Sequence, residues 1–219
     1  LIAEQKFDGV KGTEAVLQYA VRNKYRLSAK QVQAKANEIN QELKRFDPEQ
    51  RHLFQIEIPN SMFEPYLYES LGIEIALSNS EIDRIFWDAA APGVPTEGIK
   101  DFLDYLKSRE IRTGVISNIA YAPSVVAERI NRLLPENNFE FILTSSNYIF
   151  RKPHKRLFDL ALEKAGLRST EVWYIGDQYE CDIKGSLNAG LFPVWYTGAM
   201  DLPYTEDKSI LTIAVWDEL

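Results

Sequence analysis

Apolar residues follow two different rhythms along the chain, and the rhythm changes near residue 92. In the first stretch the spacing is helical. Val32, Ala36, Ile39 and Leu43 recur every three or four positions, which places them on one helix face. Ser28 stands just ahead as an N-cap. Asp47-Pro48 is expected to stop this helix, because proline has no N–H to donate and restricts the residue before it. Pro59 and Pro65 punctuate the next stretch, and Ser80 opens a short helix carrying Ile82, Ile85 and Phe86. The only strand candidate is Phe54 to Ile58, so residues 8–90 predict a bundle of about four short helices.

After Ala89-Ala90-Ala91-Pro92-Gly93-Val94-Pro95 helices and strands alternate. Ile99, Phe102, Leu103 and Leu106 form one helical stripe; Val125, Val126, Ile130, Leu133 and Leu134 form a second. Phe158, Ala161, Leu162 and Ala165 form a third, ended by Gly166 at the usual C-cap place. Between and after them lie apolar strands at Arg112–Ile116, Phe139–Thr144, Glu171–Ile175 and Phe192–Tyr196. Strands joined by single helices imply right-handed crossovers and a parallel sheet covered on both faces. The second half therefore reads as a doubly wound, Rossmann-like α/β domain.

Composition narrows the functional classes. The 219 residues carry 25 Lys+Arg against 32 Asp+Glu, a net charge of −7, which argues against sequence-independent nucleic-acid binding. Hydrophobic residues make up 45%, enough for a sizeable core, and no apolar run approaches the roughly 18 residues of a membrane span. Cys181 is alone, so no disulfide framework exists and a reducing cytoplasm is the expected setting.

In an open α/β sheet, ligands sit beyond the carboxyl ends of the strands. Three such ends carry polar chemistry. The first ends in Ser117-Asn118, a hydroxyl and an amide that can grip an anion; alternatively Ser117 only caps the next helix. The second is followed by Arg151-Lys152-Pro153, where Lys152 could neutralise a phosphate, unless this is a solvated basic loop. The third ends in Gly176-Asp177, with Asp182 five residues on. Two carboxylates brought together favour a hard divalent cation, Mg²⁺ in particular, although Asp182 or Glu180 can also cap the helix. His52 and His154 lie in no metal-ligand spacing, and the acidic neighbours of Cys181 argue against a nucleophilic thiol.

These segments resemble the motifs of the haloacid dehalogenase-like (HAD) hydrolase superfamily, most of whose members are phosphatases. VISN at 115–118 is similar to its second motif, RKPHKRLF at 151–158 to its third, and YIGDQYECDIKGSLNAG at 174–190 to its fourth. The resemblance implies that Ser117 and Asn118 hold a phosphoryl group and that Lys152 pairs with phosphate and nucleophile. It implies that Asp177 ligates Mg²⁺ and Asp182 supports the metal site. It further implies an α/β core at 93–219, an all-helical cap domain at 8–92 and a remnant of the core at 1–7. The cap aromatics Phe63, Tyr66, Tyr68, Phe86 and Trp87 read as core residues by burial habit, and Met62–Tyr68 is the place to look if any of them line a pocket. The expected reaction is removal of phosphate from a small phosphorylated metabolite through an aspartyl-phosphate. The family's first motif, D-x-D-x-T, is not in the sequence: Asp8 is followed by Val10 at +2 and Thr13 at +5. Leu1-Ile2 resemble the residues that come after the Thr of that motif, so the nucleophilic aspartate is expected upstream of Leu1. A phosphomutase, a dehalogenase or a non-catalytic binding protein are the alternatives on this scaffold. The Asp177/Asp182 pair argues against the dehalogenase.

Overall fold

The computed structural model describes residues 1–4, 6–45, 53, 55–199 and 207–219. β1 (Ile2–Glu4) leads to Asp8, whose carboxylate accepts the N–H groups of Val10 and Lys11 and so caps α1 (Gly9–Leu17). β2 (Ala20–Asn23), α2 (Ala29–Glu42), α3 (Asn60–Ser70), β3 (Ile73–Ile75) and α4 (Asn79–Ala90) come next, then β4 (Gly93–Pro95). β1 and β4 pair antiparallel, with Ile2 opposite Pro95 and Glu4 opposite Gly93. The helical stretch is thus a long excursion that leaves and rejoins the chain at one place. It has its own core, in which Val16, Val32, Ala36, Ile39, Leu67, Tyr68, Ile73 and Ile82 are buried together.

This half differs from its sequence reading in several ways. It is not all helix: β2 and β3 form an antiparallel ribbon, each too short to display a period of two. α2 ends at Glu42, before Asp47-Pro48, because Lys44 takes a left-handed φ of 53°; Asp47, Pro48, His52 and Phe54 lie outside the described residues. Pro65 lies inside α3 instead of bounding it. Its missing N–H would have served the Ser61 carbonyl, which Asn79 Nδ2 reaches instead at 3.3 Å. α4 starts slightly earlier than expected, at Asn79, with Ser78 and Glu81 forming a capping box. Ile56 makes a single antiparallel bridge to Phe150 in place of a strand.

The alternating half follows its expected order: α5 (Ile99–Ser108), β5 (Thr113–Ser117), α6 (Pro123–Leu133), β6 (Phe139–Thr144), α7 (Lys155–Ala165), β7 (Trp173–Gly176), α8 (Lys184–Ala189) and β8 (Phe192–Tyr196). A ninth strand, β9 (Leu211–Ile213), was too short to be foreseen. All pairings here are parallel: β5 with β6, β7 with β8, and β8 with β9. Successive strand residues face opposite ways. Val115 and Ile142 pack with Val125, Val126 and Ile130 of α6, whereas Ile116 and Leu143 pack with Leu157 and Ala161 of α7. The sheet is therefore covered on both faces, as the alternation required. No hydrogen bond joins β5 to β7 among the described residues; Lys152 reaches across from one to the other.

Candidate active site

Three loops meet around Lys152. Its backbone is fixed by Asn118, whose Nδ2 donates to the Lys152 carbonyl at 2.8 Å and whose Oδ1 accepts the Lys152 N–H at 2.7 Å. The Asn118 amide, expected to face an anion, is thus committed to the neighbouring loop. Ser117 closes β5, half-buried beside it. Lys152 and Arg151 are buried, at 8% and 7% exposure, which removes the reading of a solvated basic loop.

The Lys152 ammonium donates to Asp182 Oδ1 at 2.6 Å, the Tyr174 hydroxyl at 2.9 Å and the Ile116 carbonyl at 3.1 Å. Burial works against its charge, but the Asp182 carboxylate and Tyr174 outweigh burial, so its pKa is raised and it stays cationic.

Asp177 follows β7 and is exposed. Desolvation of its carboxyl and the charge of Asp182 raise its pKa, with Lys152 opposing. Its main-chain carbonyl accepts from Trp195 Nε1 at 3.0 Å. Asp182 lies on a π-helical turn, Tyr179–Ile183, and is 3% exposed, with Oδ2 accepting the Gln178 N–H at 3.0 Å. Gly176 is required here, because a Cβ at that position would overlap Asp182. The two carboxylates are therefore unequal: Asp177 faces solvent, and both oxygens of Asp182 are engaged by protein. No group of three or more His, Cys, Asp or Glu side chains among the described residues could by itself hold a metal.

The helical half reaches this region at several points. The Glu57 N–H donates to the Ile149 carbonyl at 2.8 Å and the Arg151 N–H to the Gln55 carbonyl at 2.9 Å. Glu57 is buried and receives Arg151 Nη1 and the Ser145 hydroxyl, each at 2.5 Å, and Arg45 Nη2 at 3.3 Å. Asp83 on α4 accepts the Ala122 N–H at 2.7 Å, at the start of α6, and Asn60 Nδ2 at 2.8 Å. Sequence reasoning missed Tyr174, Glu57 and Asp83. A buried acid gives no periodic signal, and each acts through a partner distant in sequence. His154 stacks on Phe150 and accepts the Arg156 N–H, which makes it the cap of α7; Cys181 is buried. Met62 and Tyr66 are exposed and Tyr68 is buried.

A family model, haloacid dehalogenase-like hydrolase, matches residues 76–195, more than half of the chain. The chain belongs to this family. Among curated relatives of this HAD chain, a pyrimidine 5'-nucleotidase of Escherichia coli is 30% identical over 130 residues, covering 58% of the chain and 56% of the relative. A glyceraldehyde 3-phosphate phosphatase of Methanothermobacter thermautotrophicus is 35% identical over 116 residues, covering 52% and 50%. The chain thus spans about half the length of the curated relatives it matches. Two solved structures share the fold. A 2-haloacid dehalogenase from Pseudomonas syringae has a TM-score of 0.62 at 17% identity, covering 99% of this chain and 91% of its own. A HAD phosphatase from Thermococcus onnurineus has a TM-score of 0.61 at 17% identity, covering 95% and 85%. The HAD chain has no helix long and apolar enough to cross a membrane among the described residues.

Proposed function

We propose that this HAD hydrolase is a Mg²⁺-dependent phosphatase of a small phosphorylated metabolite, working in the cytoplasm. The observation that carries the reading is the buried, cationic Lys152 held between β5 and the turn after β7, beside the carboxylate of Asp177. A phosphoryl group arriving at these strand ends meets the Ser117 hydroxyl, and Lys152 can turn an N–H toward it. Asn118 serves by fixing the Lys152 backbone. The curated relatives that hydrolyse phosphate esters favour the same substrate class.

The donors fit a hard divalent cation: they are oxygens, and a cation beside Asp177 would relieve the repulsion from Asp182 that raises its pKa. Asp177 would hold Mg²⁺ directly, and Asp182 acts through Lys152 and the Gln178 N–H, which occupy its oxygens. When bound, Mg²⁺ neutralises charge developing on the transferring oxygens. The attack that forms an aspartyl-phosphate needs a carboxylate from a D-x-D-x-T segment, which the 219 residues do not contain. Residues 8–92 act as a cap domain over the strand ends, and Glu57 and Asp83 tie it to the core.

The test is phosphate release from a panel of phosphomonoesters by the full protein chain, with and without Mg²⁺. Turnover should require the metal, and Asp177→Asn should lower it by about 10³-fold or more. An Asp177→Asn protein as active as its parent would remove the assignment.

A further inference from the structure

A lysine ammonium carries three N–H bonds, and Lys152 directs them at three protein acceptors: Ile116 on β5, Tyr174 on β7 and Asp182. The carbonyl and the carboxylate can only accept. The phenol can do both. It accepts from Lys152 at 2.9 Å and lies 3.2 Å from Asp182 Oδ1, within reach to donate its own proton there. The phenol thus closes a triangle whose other side is the 2.6 Å Lys152–Asp182 ion pair. Its ring has little freedom, since it packs edge-on against Phe158 at 5.0 Å and 75°, and Phe158 is fully buried.

We propose that Tyr174 is a positioning residue that holds Lys152 Nζ and Asp182 Oδ1 in a fixed relation. Without the hydroxyl, the ammonium keeps two acceptors and one N–H loses its partner. Asp182 Oδ1 loses a donor at the same time. With it, Lys152 can turn one N–H toward an incoming phosphoryl oxygen while the phenol still donates to Asp182, so the carboxylate is not left without support. The use of this triangle in catalysis rests on the phosphatase reading; the hydrogen bonds themselves do not.

The experiment compares Tyr174→Phe with the parent in the full protein chain. Phenylalanine keeps the ring that packs on Phe158. Two quantities are read: kcat and KM on p-nitrophenyl phosphate, and water exchange of the Lys152 ammonium protons by ¹H–¹⁵N NMR, assigned by loss of the signal in Lys152→Arg. The expected result is a kcat lower by about tenfold, a KM within about twofold of the parent, and faster ammonium exchange. Exchange and kcat both equal to the parent would overturn the proposal. So would a loss of kcat with unchanged exchange, which would mean that the hydroxyl acts elsewhere. Faster exchange in a protein whose parent releases no phosphate would remove the phosphatase reading and leave the tyrosine's hold on Lys152 in place.

Discussion

Two buried charge pairs, one in each half of the molecule, respond to burial in opposite ways. In the α/β half Lys152 and Asp182 carry opposite charges, and the Asp182 carboxylate, with Tyr174, keeps Lys152 cationic against desolvation. In the helical half Glu64 and Asp83 are like-charged partners. Burial and the charge of Asp83 push Glu64 up to about 9, and Asp83 is itself raised, first by desolvation. Near neutral pH the first pair is therefore an ion pair, and the second keeps a proton on Glu64. Both stand where loops of the α/β half must be held: Asn118 fixes Lys152, and Asp83 receives the Ala122 N–H at the head of α6. Burial alone does not decide whether a group is charged; the sign of the nearest partner does.

Removing one member from each pair should accordingly change stability in different ways, the first at all pH values near neutrality and the second in its dependence on pH. The largest effect is expected for Lys152→Met. It leaves the 3%-exposed Asp182 carboxylate without its counter-charge, at a cost of about 3–5 kcal/mol. Denaturant unfolding should show this loss, and under the proposed function phosphate release by the full protein should vanish with it. A Lys152→Met protein as stable as its parent would mean that the buried Asp182 does not need this counter-charge, and the contrast with Glu64 would collapse.

An intermediate effect, seen in the pH dependence of stability, is expected for Glu64→Gln. The folded-state pKa of Glu64, about 9, lies above its ordinary 4.5. Its contribution to stability is therefore full below 4.5, declines as pH rises, and is lost through the folded pKa near 9. Glutamine keeps the shape and cannot ionise. The melting temperature of the parent should fall between pH 6 and 9, across part of that window, while that of Glu64→Gln should fall less. Tyr68 and Tyr121, which face the pair, are raised further still and do not titrate in that range. Parallel melting curves for the two proteins across this range would show that Glu64 is not protonated in the folded state.

The sequence disclosed these pairs unequally, and the reason is physical. Strands β6 and β8 appear at the expected residues because five or six mostly apolar residues between turn signals have few other ways to be buried. Ser117, Lys152, Asp177 and Asp182 stood out because an α/β order places strand ends at one edge of the sheet. β1 with β4 and β2 with β3 are three or four residues long, and their pairing depends on partners 50 or more positions away. Tyr174 read as one more residue of an apolar strand, and no pattern singled out Glu64 or Asp83. What marks each of them is a neighbour from another element, and a one-dimensional pattern of apolar and polar positions carries no such information.

The smallest effect sharpens the comparison from a third direction. Arg84 follows Asp83 on α4 and also reaches the α/β half, where it pairs with Glu128 of α6 at 3.7 Å. Adjacent positions on a helix point about 100° apart, so Asp83 is buried at 1% exposure while the Arg84 and Glu128 side chains are about half exposed. Water then screens their attraction, and ordering two long side chains offsets most of what is left. Arg84→Ala should change unfolding free energy by less than about 0.5 kcal/mol. Asp83→Ala in the same assay should cost several times more, because the Ala122 N–H and Asn60 Nδ2 lose their acceptor together. If the two substitutions cost the same, contact between the halves would depend on how many charges cross the junction. If they differ as expected, it depends on which of those charges are out of water, and that is the property the Lys152 and Glu64 pairs share.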